Sequence, residues 1–507
     1  MRKAQDEQDR AAKLIQFDEH RRLERPLFHF APPCGWMNDP NGFSFFAGAC
    51  HLFYQTNPFS TRWDAIHWGH ATSHDMVFWQ GERVALAPDS PFDAAGCFSG
   101  TAVDKGGKHV LAYTGVHMEN GKMVQEQCIA TGDGRVYTKY AGNPVIRAEQ
   151  VPFEFVRGDF RDPKLWFSGG TYYLAAVVKK ADGCGAIVLF KSADAQSWQF
   201  VSVVDESRDG LSGMWECPDL FSLGGKDVMI FCAQGMRAND KLGFFEGNNC
   251  VYTTGVFDKT TGKFMRERRV ENGYTAAMVD YGIDFYAAQT TLTPDGRRVM
   301  IAWMNNWESL ITPEGYSWSG MMSFPRELKI RGGRLLQQPV REIETLRLKR
   351  GAGVFEPNAA KVYIEELSCR HFDATFTLEA SAGEEGVFRV EFAASQDGRY
   401  KITLAYDAAT QLLSFDRRHS LLSGGKIPIR SVKVPSDSRG IVTLRLLADT
   451  CSLEVFANDG ETAFTNTFFV PAEAVRFSVA QGLKTSVRYE FFTLGKLGKP
   501  TQTGGIQ

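Results

Sequence analysis

Short apolar runs broken by glycine dominate the first part of the chain, and they repeat. Five segments share one rhythm: a polar or small residue, a gap of about nine positions, one or two glycines, then an apolar strand. They are DPNGFSFFAGACHLFYQ from Asp39, SGTAVDKGGKHVLAYTG from Ser99, DPKLWFSGGTYYLAAVV from Asp162, ECPDLFSLGGKDVMIFC from Glu216 and AAQTTLTPDGRRVMIAW from Ala287. Each predicts two short strands around a glycine-bearing turn, the signature of a β-hairpin. Further strand-like pieces, such as HWGHATSHDMVFWQ and NCVYTTGVFDKTTGKF, lie between them. The hairpins recur about every 55–70 residues, which suits four strands and their loops, the content of one propeller blade. Five such units predict a five-bladed β-propeller; an unrepeated β-sandwich is the alternative with similar strand content.

After about Gly333 the texture changes. LLQQPVREIETLRLKR reads as a helical or extended connector. From Gly351 onward, alternating strands such as DATFTLEA, GVFRVEFAA, IVTLRLLAD and CSLEVFAND are separated by Gly, Asp and Ser turns. That pattern predicts an antiparallel β-sandwich. The expected organisation is all-β: an N-terminal helical extension over 1–27, a propeller over 28–333, a linker over 334–350, a sandwich over 351–498 and a disordered tail over 499–507.

Composition narrows the function. The chain has 507 residues, is 43% hydrophobic and 23% charged, and carries a net charge of -2. There is no basic surplus to neutralise nucleic acid or anionic lipid. The charged N-terminus lacks the apolar core of a secretory signal, and no run of apolar residues is long enough to span a bilayer. The expected compartment is the cytoplasm. The ten cysteines are scattered, with no CxxC pair, and are expected as reduced, mostly buried thiols without structural zinc. His67, His70 and His74 are irregularly spaced and have no carboxylate frame, so no metal and no cofactor are expected.

Candidate chemistry follows from the repeat. In a propeller the first strand of each blade lines the axis, so Asp39, Ser99, Asp162, Glu216 and Ala287 should converge on one funnel. Three of these five are acidic. Carboxylates gathered at one place repel one another, which marks a functional site more than a packing position. Two facing acids are the equipment of glycoside hydrolysis. Asp39 lies in GWMNDPNGF, where turn amides and Asn38 would keep it ionised, as a nucleophile requires. Glu216 in MWECPDL sits beside Trp215 and Cys217, surroundings that suit a protonated general acid. Asp162 in FRDPKLW should stay charged through its neighbour Arg161. Gln55, Trp63, Phe98, Ser99 and Trp303 fall at or near blade starts or strand ends, where they could meet a sugar.

The set WMNDPNG, FYQTNP, FSGTAV, FRDP, WECPD and DYGIDFYAAQT resembles glycoside hydrolase family 32, the β-fructofuranosidases. The likeness runs from about Phe28 to Leu328, with an echo at LEVFANDGE. The resemblance implies a five-bladed propeller followed by a β-sandwich, and a retaining double displacement at fructose C2. It implies Asp39 as nucleophile, Glu216 as acid then base, and Asp162 as transition-state stabiliser. It implies Asn38, Gln55, Trp63, Phe98, Ser99, Arg161 and Trp303 as substrate contacts. The implied partner is a small sugar, sucrose, sucrose 6-phosphate or a short fructo-oligosaccharide, handled by a monomer or homodimer. Thr56 replaces the aromatic usual after FYQ, which would loosen a subsite wall. A fructan exo-hydrolase or fructosyltransferase would use the same acids. A carbohydrate-binding propeller without turnover, or a protein-interaction propeller, is the alternative of another class.

Overall fold

A computed structural model describes residues 24–207, 212–240, 242–267, 276–380 and 383–495. The expected N-terminal helix and the C-terminal tail lie outside the described residues, apart from the segment 24–27. The chain divides into two compact units, one built on His29–Val340, the other on Arg341–Thr462 with the chain after Thr467.

The first unit holds five antiparallel sheets. The five hairpins read from the sequence are their first two strands: Gly35–Phe46 with Ala49–Asn57, Gly96–Lys105 with Lys108–Glu119, Phe155–Ser168 with Thr171–Lys180, Met214–Leu223 with Lys226–Met236, and Tyr286–Leu292 with Arg298–Trp303. Four strands in chain order make each blade, the fifth closing with Arg326–Arg331 and Arg334–Pro339. Arg334–Pro339 was expected in a connector; its pairing with Arg326–Arg331 makes it the outer strand of blade five instead. Blade one gains a parallel partner, Trp318–Ser319, which lies in the blade-five segment and ties the last blade to the first.

Local chemistry explains the hairpins. The two-residue turns Gly106-Gly107, Gly169-Gly170 and Gly224-Gly225 all have positive φ at both positions. That is the backbone that a tight turn between right-twisted strands demands, and glycine reaches it without a Cβ penalty. The second strands are buried almost continuously, as in Leu174–Val178, because each blade packs against a neighbour on both faces. Continuous burial rather than alternation is therefore the pattern that the apolar runs encode.

Each inner strand carries a register irregularity at the repeat position. The shifts fall between Met37 and Pro40, Phe98 and Gly100, Glu216 and Asp219, and Tyr286 and Gln289, and in blade three opposite Ala175 and Val177, beside Arg161–Lys164. Asp162, Cys217 and Ala287 have positive φ there. A bulge inserts an unpaired residue and re-aims side chains, so all five blades bend at matched places.

The second unit is a sandwich of two six-stranded antiparallel sheets. Inward rings such as Phe372 from one sheet and Phe392 and Phe477 from the other meet edge to face across its core. Among the described residues no helix is long and apolar enough to cross a membrane.

Candidate active site

The bulges bring acids from blades one, three and four together. The Cys217 sulfur lies 3.6 Å from Asp39 Oδ2 and 3.8 Å from Asp162 Oδ2, so one atom touches both carboxylates. Glu216 is the residue before it. The Cys217 backbone N–H donates to Asp162 Oδ2 at 2.9 Å. The positive φ at Cys217 is what turns that amide toward Asp162 while Glu216 faces Arg161 and Tyr286.

A directed hydrogen-bond circuit fixes Asp39. Trp36 Nε1 can only donate, and it donates to Asn38 Oδ1 at 2.7 Å. The Asn38 amide nitrogen is therefore turned to Gln55 Oε1 at 2.7 Å and to Asp39 Oδ1 at 3.1 Å. Gln55 then presents its nitrogen to Ser99 Oγ, which leaves the Ser99 hydroxyl to donate to Asp39 Oδ2 at 2.5 Å. One indole N–H thus sets every donor and acceptor down to the carboxylate. Thr56 is buried and donates to the Trp36 carbonyl at 2.7 Å, so it steadies the strand that bears this circuit.

Glu216 is held differently. Arg161 Nε donates to its Oε1 at 3.1 Å, and the Tyr286 hydroxyl donates to its Oε2 at 2.6 Å. Arg161 is anchored from behind by Asp159 at 2.7 Å. Sequence adjacency had assigned Arg161 to Asp162, yet its nearest approach there is 3.9 Å. Arg161 therefore hydrogen-bonds the acid across the funnel, while its charge still acts on the neighbouring Asp162.

Burial works against ionisation at two of the acids. Burial outweighs the Ser99 and Asn38 hydrogen bonds and, with the Glu216 charge, raises the Asp39 carboxyl above its ordinary range. Burial likewise raises Asp162 to about 7, against the pull of Arg161, with Glu216 and Asp39 adding like charge. An unfolded aspartate ionises near 3.8. Between these values the folded chain keeps a proton that the unfolded chain has released, so Asp162 costs stability increasingly as pH rises from about 4 to about 7. Asp162→Asn is therefore expected to raise Tm by roughly 3–5 °C at pH 8 and by almost nothing at pH 4.5. Thermal melts at the two pH values check this; an equal change at both would contradict the assigned cause.

The aromatic candidates divide. Trp63 is 44% exposed and stands edge-on to the half-buried Phe98, with ring centroids 5.8 Å apart. Trp303 was expected to meet a sugar, but it has no exposed surface and packs beneath Trp36 and Trp307. It supports the wall and presents no face. Trp307, half-buried and stacked on Trp36 at 5.8 Å, is the indole of that group with surface to offer. Tyr286 and Trp307 were not singled out from the sequence. Tyr286 was findable as the residue just before the blade-five start, the place that Arg161 holds in blade three.

Of the three histidines, His67 and His70 are buried and His74 is exposed. His70 stacks on Phe53 at 4.3 Å and contacts His51 at 3.0 Å, and burial lowers its pKa to about 3. Among the described residues no group of three His, Cys, Asp or Glu side chains is gathered as a metal site. None of the ten cysteines is in a disulfide.

Comparison with known proteins agrees with this architecture. The model of the glycosyl hydrolases family 32 N-terminal domain matches residues 29–339, and that of the family 32 C-terminal domain matches residues 342–492. The chain is 34% identical to a raffinose invertase and to a sucrose-6-phosphate hydrolase, both of Escherichia coli, each match covering 90% of this chain and 91% of the relative. Among solved structures, a Bombyx mori GH32 beta-fructofuranosidase is similar with a TM-score of 0.81 and 29% identity, over 97% of this chain and 99% of that one. A sucrose-6-phosphate hydrolase from Lactobacillus gasseri gives a TM-score of 0.83 and 26% identity, over 96% of each chain. With two family domains matched along nearly the whole described length and three acids gathered on the propeller axis, the chain belongs to glycosyl hydrolases family 32.

Proposed function

We propose that this protein is a retaining β-fructofuranosidase that cleaves the terminal fructosyl bond of sucrose or sucrose 6-phosphate. The observation that carries this reading is the meeting of Asp39, Asp162 and Glu216 at the Cys217 bulge. Asp39 is the nucleophile. Its two oxygens are held by Asn38 and Ser99, which aims the carboxylate without neutralising it. Glu216 is the acid and then the base. It keeps 16% of its side chain exposed, against 6% for Asp162, as a group that meets a leaving oxygen and later a water must.

The steps follow. Glu216 protonates the glycosidic oxygen while Asp39 attacks fructose C2 and the bond to glucose breaks. Glu216 then deprotonates a water that attacks C2 and releases Asp39. Arg161 and Tyr286 keep Glu216 oriented through both halves. Asp162, fixed by the Cys217 amide, accepts hydrogen bonds from sugar hydroxyls and stabilises the oxocarbenium-like transition state. Gln55 positions Ser99 and Asn38, and Trp63 and Phe98 form an aromatic rim. The curated relatives named for raffinose, sucrose and sucrose 6-phosphate support a substrate with a sucrose-type linkage. The cytoplasm remains the proposed compartment, and a monomer or homodimer the proposed state.

Fructose release from sucrose, sucrose 6-phosphate, raffinose, inulin and levan tests the reading. Sucrose-type substrates should be cleaved at least tenfold faster than either polymer. Faster release from inulin or levan would make the protein a fructan exo-hydrolase, and binding without release would make it a lectin-like propeller.

A further inference from the structure

The three acids occupy one level of the propeller axis, and a second level carries a cavity of about 550 Å³. Phe43, Thr101, Lys164, Leu220 and Thr290 line it, one from the inner strand of each blade. Each stands a few residues beyond its blade's repeat position, and each strand residue advances about 3.3 Å. The cavity therefore lies further along the same axis, toward the hairpin turns. A layer of buried polar side chains separates the two levels. Gln289 donates to the Gly100 carbonyl at 2.9 Å, and Thr101 donates to the Pro163 carbonyl at 2.8 Å.

The lining carries the cations Lys164, Lys259 and Arg298 against the carboxylates Asp104 and Asp227. Its carboxylates are engaged by their own hairpins: Asp227 accepts from Ser222 at 2.6 Å and from the Phe257 N–H at 2.8 Å, and Asp104 accepts from the Gly107 N–H at 3.2 Å. The buried Asp219 beneath Lys164 is also engaged, by Lys164 at 2.8 Å and by the Thr290 N–H at 2.6 Å. Arg298 is only partly engaged: its Nη1 donates to Thr290 Oγ1 at 3.4 Å. Its guanidinium lies 4.8 Å over the Phe221 ring, and its Nε has no hydrogen-bond partner among the described residues. A largely desolvated guanidinium with an idle donor is costly unless a ligand completes it. Elsewhere in the lining, Trp166 stacks on Tyr173 at 5.5 Å and makes a flat, half-buried wall.

We propose that this cavity is a second binding site, for a small organic oxyanion: a phosphate or carboxylate carried on a ring. The anion sits against Arg298 and Lys164, and the ring against Trp166 and Tyr173. Arginine suits this role because its fork matches two oxygens of one anion. No part of the site is shared with the three acids.

Calorimetric titration of the full chain with glucose 6-phosphate, benzoate, inorganic phosphate and glucose tests the proposal. One equivalent of glucose 6-phosphate or benzoate should bind, and which of the two binds tighter separates phosphate from carboxylate. Glucose should not bind at this site, and inorganic phosphate should bind at least tenfold more weakly than the tighter ring anion. Arg298→Gln should weaken the anion at least tenfold, and Trp166→Ala should weaken the ring anions at least tenfold while leaving inorganic phosphate unchanged. Both variants should keep sucrose turnover within twofold, and Asp39→Ala should leave anion binding unchanged. No binding by either ring anion, or binding that survives both Arg298→Gln and Trp166→Ala but is lost in Asp39→Ala, would overturn the proposal.

Discussion

Asp39→Ala should lower kcat on sucrose by at least about 10⁴-fold, because it removes the group that bonds to C2 rather than one that assists it. Fold is expected to survive. Burial already raises the Asp39 carboxyl above its ordinary range, so the side chain is held at a cost and its loss removes that cost. Of the groups it leaves, the Asn38 amide still donates to Gln55 Oε1 and Ser99 Oγ still accepts from Gln55. Asp39→Asn, which is nearly isosteric, should match Asp39→Ala in turnover and the parent in Tm. A large loss of activity with a collapsed melting curve would indicate a structural aspartate. Near-normal turnover would remove Asp39 from the chemistry.

Arg326→Met should cost about 3–5 kcal/mol of stability, the largest effect expected away from the acids. Arg326 and Asp280 are both fully buried and pair at 2.8 Å. Arg326 also donates to Gln337 at 2.8 Å and lies 4.8 Å over the Phe285 ring. Deleting the guanidinium strands the Asp280 charge in the interior, and desolvation rather than the lost attraction dominates the penalty. The double variant Arg326→Met with Asp280→Leu should therefore recover most of the loss, since it buries no charge at all. Thermal and urea melts of the three variants make a double-mutant cycle. A single variant within about 1 kcal/mol of the parent would show that the pair is not what it looks like geometrically.

The propeller was legible because its repeat is written twice, once as spaced glycines and once as polar start residues. Glycine pairs such as Gly169-Gly170 mark turns by steric necessity, and the positions before them inherit the bulges. The sandwich was read less completely. Arg347–Phe355 and Ile429–Lys433 were missed, and both are edge strands, where one partner is absent and the burial pattern relaxes. Arg476–Gln481 was missed for another reason: AEAVRFSVAQ reads equally well as a helical segment.

The same contrast holds at the site. Asp39, Ser99, Asp162 and Glu216 could be placed together because the repeat aligns them. The partner of Arg161 could not, because that choice depends on which face of a bulged strand the side chain leaves. The burial of Trp303 was equally hidden: an indole that supports a wall and one that forms its surface are written with the same residue. The raised carboxyls of Asp39 and Asp162 arise from depth, which no local motif encodes.

The central claim is that Asp39 takes the fructosyl group covalently while Glu216 faces it from the other blade. Turnover of sucrose in water containing methanol, followed by proton NMR, tests it most directly. A fructosyl-enzyme on Asp39 partitions between the two acceptors with retention, so methyl β-fructofuranoside should accumulate beside fructose. Methyl α-fructofuranoside as the first-formed product would mean a single displacement by solvent and would contradict the account.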